Sequence, residues 1–132
     1  MFWRSCRALN INSEVSIRIS MQKEIFIFGD IELGGGTLTD DFISDKALSA
    51  VFRSFAKQKK AVDLILNGDT FDFLKCPYVD TSGRRSYPRH ITAEVSLAKL
   101  KLIMKAHALV FKAWKEFGRA KNHRIFFIIG NH

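Results

Sequence analysis

Cysteine is nearly absent from this sequence: Cys6 and Cys76 are the only two, and they form neither a Cys-x-x-Cys pair nor a metal knuckle. That excludes a disulfide framework and a zinc ribbon as organising devices, and a reducing, cytoplasmic setting fits best. Long apolar runs are missing as well. No stretch approaches the roughly 20 residues of a membrane span, and residues 1–20 lack the continuous apolar centre of a secretory signal. The expectation is a soluble chain without a transmembrane segment, in the cytoplasm or peripheral to a membrane. Internal repeats and low-complexity tracts are absent, and acidic residues are scarce, 13 against 21 basic ones. The resulting net charge of +8 and pI near 9.8 favour anionic partners: phosphate esters, nucleic acid or acidic lipid surfaces.

What is present is an ordinary globular composition, 47% hydrophobic and 26% charged, in 132 residues. A chain of that length makes one domain and can bury roughly two thirds of its unfolded surface. Much of the basic excess falls in Lys99, Lys101, Lys105, Lys112, Lys115, Arg119, Lys121 and Arg124, opposed only by Glu116. The plain reading of that series is a solvated helix face.

Residues 1–20 alternate Val15, Ile17 and Ile19 with polar residues but otherwise lack a period, which predicts an extension or a mis-assigned start ahead of Met21. From Glu24 the pattern is regular. Ile25 to Phe28 is a continuous apolar run ending at Gly29 and predicts a strand buried on both faces. Gly34-Gly35-Gly36 marks a flexible loop. Ser44 or Asp45 can cap a helix carrying Leu48, Val51, Phe52 and Phe55 and ending near Lys60. A second run, Val62 to Leu66, reaches Asn67-Gly68, and the polar stretch from Lys75 to His90 holds both prolines of the chain, Pro77 and Pro88. One long helix follows, with Val95, Leu102, Ala106, Leu109, Ala113 and Phe117 as its stripe and Gly118 as its stop. A third run, Ile125 to Ile129, ends at Gly130. The order strand, helix, strand, helix, strand predicts an α/β fold with right-handed crossovers and a mainly parallel sheet with helices on its faces.

Each apolar run ends in glycine followed by an oxygen-bearing side chain: Gly29-Asp30, Gly68-Asp69 and Gly130-Asn131. Open parallel sheets bind ligands beyond the carboxyl ends of their strands, so the three residues are expected in one crevice. Asp30 and Glu32, two apart, point to one side if the chain there is extended. Crowded carboxylates resist ionisation unless a divalent cation neutralises them, which makes metal the economical explanation. The plain alternative is that Asp and Asn serve as turn formers after strands.

Gly29-Asp30-Ile31-Glu32, Gly68-Asp69-Thr70-Phe71-Asp72 and Gly130-Asn131-His132 resemble the first three blocks of the calcineurin-like metallophosphoesterase signature. That signature runs Asp-x-His, Gly-Asp-x-x-Asp, Gly-Asn-His followed by an acid, and later a lone His and Gly-His-x-His. The resemblance covers Glu24 to His132, and Asn67 to Phe73 is most similar to the UDP-2,3-diacylglucosamine pyrophosphohydrolase branch. It implies the first half of an αββα sandwich, so that residues 21–132 are an incomplete domain lacking its C-terminal part. It also implies two divalent ions, Mn²⁺ foremost with Fe, Zn²⁺ or Mg²⁺ open. In the same terms Asp30 binds the first metal, Asp69 bridges both, Asn131 binds the second, His132 protonates the departing oxygen, and Asp72 supports by hydrogen bonding. Such a pair of ions, about 3.5–4 Å apart, clamps a phosphoryl group during in-line attack.

The pattern departs from the family at Glu32, where the signature has histidine. Either Glu32 ligates and favours harder ions, or the first metal binds weakly. The sequence also ends at His132 without the later histidines, which implies weak or no hydrolysis by this chain alone. Arg84, Arg85 and Arg89 are candidate phosphate-gripping residues, with solvated loop charges as the plain alternative. His90, His107 and His123 read as surface or interface residues. The implied substrate is a phosphorylated small molecule, a nucleotide sugar or a lipid-linked phosphate. The alternatives are a metallo-nuclease of the same superfamily, for which the positive charge suits nucleic acid, and a catalytically decayed α/β binding module.

Overall fold

A computed structural model describes residues 23–130; the expectations for residues 1–20 and Met21 lie outside the described residues. Strand β1 (Lys23–Gly29) is followed by helix α1 (Asp45–Ala56) and strand β2 (Ala61–Asn67). A small hairpin, β3 (Tyr78–Val79) and β4 (Arg85–Ser86), precedes helices α2 (Ala93–Ala106) and α3 (Ala108–Arg119) and strand β5 (His123–Ile128). The three long strands form one parallel sheet in the order β1-β2-β5, so the expected α/β architecture with a parallel sheet is present.

β2 lies in the centre because its side chains are apolar on both faces except at Asp63 and the terminal Asn67, and Val62, Leu64 and Leu66 are fully buried. β1 differs from expectation. Its burial alternates, with Ile25 57% and Ile27 65% exposed, because it is an edge strand covered on one face only. On the covered face, Phe26 stacks on Phe55 at 3.9 Å and Phe28 meets Phe52 edge-on at 5.3 Å. Helix α3 completes that layer, with Trp114 against Phe52 at 5.8 Å and Phe117 against His123 at 4.9 Å. The register sets Ile27, Ile65 and Phe126 side by side on the opposite face, where Phe126 and Ile128 are also exposed. The helices therefore cover one face of the sheet, not both.

Helix boundaries follow local chemistry. Ser44 takes the N-cap position of α1 without a side-chain cap bond, and the helix ends at Ala56, short of Lys60, which pairs with Glu24 at 2.9 Å. Thr92 caps α2 by accepting from the Val95 N–H at 3.2 Å. The single long helix expected from the apolar stripe is broken at His107, whose backbone leaves the helical region (φ −106°, ψ 38°). Its buried ring is held between two carboxylates, Asp45 at Nδ1 and Asp40 at Nε2, each 2.9 Å away. That clasp turns the chain, so α3 buries Val110, Ala113, Trp114 and Phe117 while Leu109 is exposed, and Gly118 lies inside the helix.

Further expectations change for tertiary reasons. His107 and His123 are buried rather than on the surface. Lys99 is 3% exposed and donates to the Phe73 carbonyl at 2.8 Å, so it does not belong to the solvated basic face. Gly34 and Gly35 are buried, and a Cβ on Gly35 would lie 2.8 Å from Cys76 Sγ. The triglycine is thus a close-packed crossing, and Asp40 accepts from the Gly34 and Gly36 N–H groups across it. Burial pushes the Cys76 thiol up, which keeps it protonated and inert. No described helix is long and apolar enough to cross a membrane.

At the amino end of the sheet Asp63 accepts from Arg124 at 2.9 and 2.7 Å and from Lys23 at 3.0 Å. Arg124 above all, then Lys23, pulls its carboxyl down from 3.8 to about 2 against the cost of desolvation. A carboxyl depressed in the folded state contributes stability that is present above its unfolded value and lost as pH falls through the folded one. Melting temperature is expected to drop between pH 3.8 and about 2. In Asp63→Asn that part of the drop should be missing, as measured by circular dichroism.

Candidate functional site

The parallel register places Gly29, Asn67 and Ile128 level with one another, so all three strands end at the same edge. Beyond that edge the chain segments stay paired. The Glu32 N–H donates to the Asp69 carbonyl at 2.8 Å, Leu33 N–H to Thr70 at 3.0 Å, and Gly68 N–H to Ile128 at 3.2 Å. An isolated bridge joins Leu33 to Phe71. Asp30 Oδ1 lies 3.3 Å from where a Gly68 Cβ would stand, and the Asp69 carboxylate fills the space a Cβ on Gly130 would take. Asp30, Asp69 and the residue preceding Asn131 therefore meet at one end of the sheet. Asn131 and His132 themselves lie outside the described residues.

The segment after β1 is not extended. Asp30 (φ 48°) and Glu32 (φ 54°) both adopt the left-handed conformation, which costs a non-glycine residue on the order of 1–2 kcal/mol. Contrary to the expectation from an extended chain, Asp30 and Glu32 are therefore not set on one side by a straight backbone. Glu32 instead faces Lys75, with Oε2 3.6 Å from Nζ.

Lys75 is a residue the sequence reading did not single out. Its ammonium sits 2.7 Å from Asp41, 3.4 Å from Asp72 and 3.6 Å from Glu32. The Asp41 hydrogen bond, then Asp72, holds it above the ordinary lysine range despite desolvation. Asp72 is 2% exposed, and its Oδ1 accepts from the Lys75 N–H at 2.9 Å, closing the turn that follows Asp69. The available signal was the Asp72-x-x-Lys75 spacing.

Among the described residues, no three His, Cys, Asp or Glu side chains gather closely enough to hold a metal ion. Asp30 and Asp69 offer hard oxygen donors at adjoining strand ends, which suits a divalent cation such as Mn²⁺ or Mg²⁺. Glu32, engaged by Lys75, does not add to that pair in this arrangement. Arg84 and Arg85 sit in the β3–β4 hairpin, where Arg84 pairs with Asp80 at 3.5 Å, and Arg89 is exposed beyond it. None of the three lines the cleft of about 210 Å³ beside Asp69, whose walls are Thr70, Phe71, Phe73, Phe127 and Ile129.

No family model, curated protein or solved structure matches this chain.

The close approach at Gly130 makes a direct test of the convergence. A Cβ there would stand 2.6 Å from the Asp69 nitrogen, so Gly130→Ala must displace backbone. Urea denaturation is expected to show a loss of about 1–3 kcal/mol. Gly118→Ala, within α3 and with open space around it, should gain about 0.5–1 kcal/mol.

Proposed function

We propose that the chain is the first half of a calcineurin-like metallophosphoesterase domain whose full-length form hydrolyses a phosphate ester or diphosphate. The observation that carries this reading is the placement of Asp30 and Asp69 at the ends of neighbouring parallel strands, joined by the Glu32 N–H to Asp69 carbonyl bond. Paid strain in the Asp30–Glu32 turn also favours it, since left-handed non-glycine residues cluster where function requires them. The uncovered sheet face, with Ile25, Ile27, Phe126 and Ile128 exposed, is what half of a two-sheet sandwich would leave open.

In this reading Asp30 and Asp69 hold divalent cations, Mn²⁺ foremost, and Asn131 adds an amide oxygen. Such cations, when bound, neutralise and polarise the phosphate. Asp72 keeps the turn after Asp69 closed, and His132 donates a proton to the departing oxygen. Substrates are a phosphorylated small molecule, nucleotide sugar or lipid-linked phosphate.

A second reading, a decayed α/β binding module, is favoured by one specific contact: Lys75 neutralises Glu32 and Asp72 with an ammonium the chain carries itself. Titration calorimetry with Mn²⁺ separates the two. For the hydrolase, the full-length protein binds Mn²⁺, Asp69→Asn weakens that binding about ten- to a hundredfold, and Lys75→Met strengthens it by releasing Glu32. Absence of Mn²⁺ binding by both the full-length protein and its Lys75→Met variant establishes the decayed module instead.

A further inference from the structure

We propose that a second site, away from the strand ends, binds a phosphoryl group between Arg85 of the hairpin and Lys105 of α2; this does not depend on the phosphoesterase reading above. The site is a cavity of about 280 Å³ where the hairpin, α2 and the triglycine crossing meet, and it shares no wall with the cleft beside Asp69.

Each element presents its side chains to this cavity for a local reason. Val79 and Arg85 are directly paired across β3 and β4, so both leave the same face of the hairpin. Leu102, Lys105 and Ala106 recur at helical spacing and share one face of α2. The triglycine forms the floor. A Cβ on Gly35 would stand 3.2 Å from Leu102 Cδ2, and one on Gly36, where φ is +68°, would stand 2.8 Å from the Ala106 Cβ. Nothing bulkier than glycine fits there, and the floor is set before any ligand arrives.

The chemistry of the walls selects an oxyanion. Arg85 brings a planar fork of N–H donors and Lys105 an ammonium, and they approach from different elements. Two cations bordering one cavity raise its potential, which a bound anion relieves. Asp40, which accepts from the Gly34 and Gly36 N–H groups of the floor, does not offset them: its carboxylate is buried, bonded to His107 Nε2 at 2.9 Å, and is not among the walls. A tetrahedral phosphoryl group can turn oxygens to both cations at once, whereas a planar carboxylate directs its pair to one side. Val79, Leu102 and Ala106 supply apolar surface for the carbon stem of an ester.

The test follows backbone amide resonances of the full chain in EDTA, so that no metal-bound phosphate contributes, while inorganic phosphate, propyl phosphate or acetate is added at constant ionic strength. Inorganic phosphate is expected to shift the amides of Gly35, Gly36, Thr37 and Lys105 saturably, with a Kd on the order of 1 mM, and acetate to bind about tenfold more weakly. Arg85→Ala and Lys105→Ala should each weaken phosphate about tenfold or more; both side chains are exposed, so their removal leaves the fold intact. Arg84→Ala, which removes the neighbouring guanidinium paired with Asp80 at 3.5 Å, should leave the affinity unchanged. Tighter binding of propyl phosphate than of inorganic phosphate identifies an ester as the occupant, and equal binding identifies free phosphate. The inference is overturned by unsaturable shifts up to about 100 mM phosphate, by equal losses in Arg84→Ala and Arg85→Ala, or by acetate binding as tightly as phosphate.

Discussion

Everything in this molecule depends on the register of one central strand. β2 is hydrogen-bonded on both sides, to β1 from Lys23↔Ala61 through Gly29↔Asn67 and to β5 from Val62↔His123 through Asn67↔Ile128. A slip of one residue on either side would move a whole set of side chains to the other face, which burial of Phe26, Leu64 and Ile125 opposes. With that register held, Gly29-Asp30, Gly68-Asp69 and Gly130, separated by many residues in sequence, reach one edge. Two sets of ion pairs at the amino end of the sheet reinforce it: Asp63 with Lys23 and Arg124 across the strands, and Lys60 with Glu24.

The carboxyl edge, by contrast, is built against local preference. Asp30 and Glu32 lie in the left-handed region, Asp72 is buried, and a glycine at 130 is needed so that Asp69 can fit against it. Local rules are broken where the surrounding structure over-determines the backbone, and such breaks concentrate at functional sites. Lys75 offsets part of the acidic charge through its contacts with Glu32, Asp41 and Asp72.

The strands and the positions of the Gly-Asp steps were legible in the sequence because each strand is a short apolar run closed by glycine. Which faces those strands bury was not. Ile25 and Phe26 are equally apolar, and only the one-sided packing of α1 and α3 distinguishes them. The helix break at His107 was hidden for a similar reason: its cause, Asp40 and Asp45, lies more than sixty residues away in the chain. The triglycine resembled a loop because glycine marks both flexible turns and close crossings, and only the neighbours Cys76 and Ala106 decide between them. In the site, Asp30 and Asp69 followed from topology, whereas the Glu32–Lys75 contact depends on a turn that the assumption of extended backbone missed.

The most direct measurement is paramagnetic broadening of backbone amide resonances by substoichiometric Mn²⁺ in the isotopically labelled chain. If the three strand ends form one oxygen-lined site, the amides of Asp30, Asp69, Thr70 and Gly130 vanish together, while those of Lys23, Ala61 and His123 at the far end of the same strands persist. Broadening centred on Asp63 and Glu24, or spread evenly over the molecule, would contradict the account.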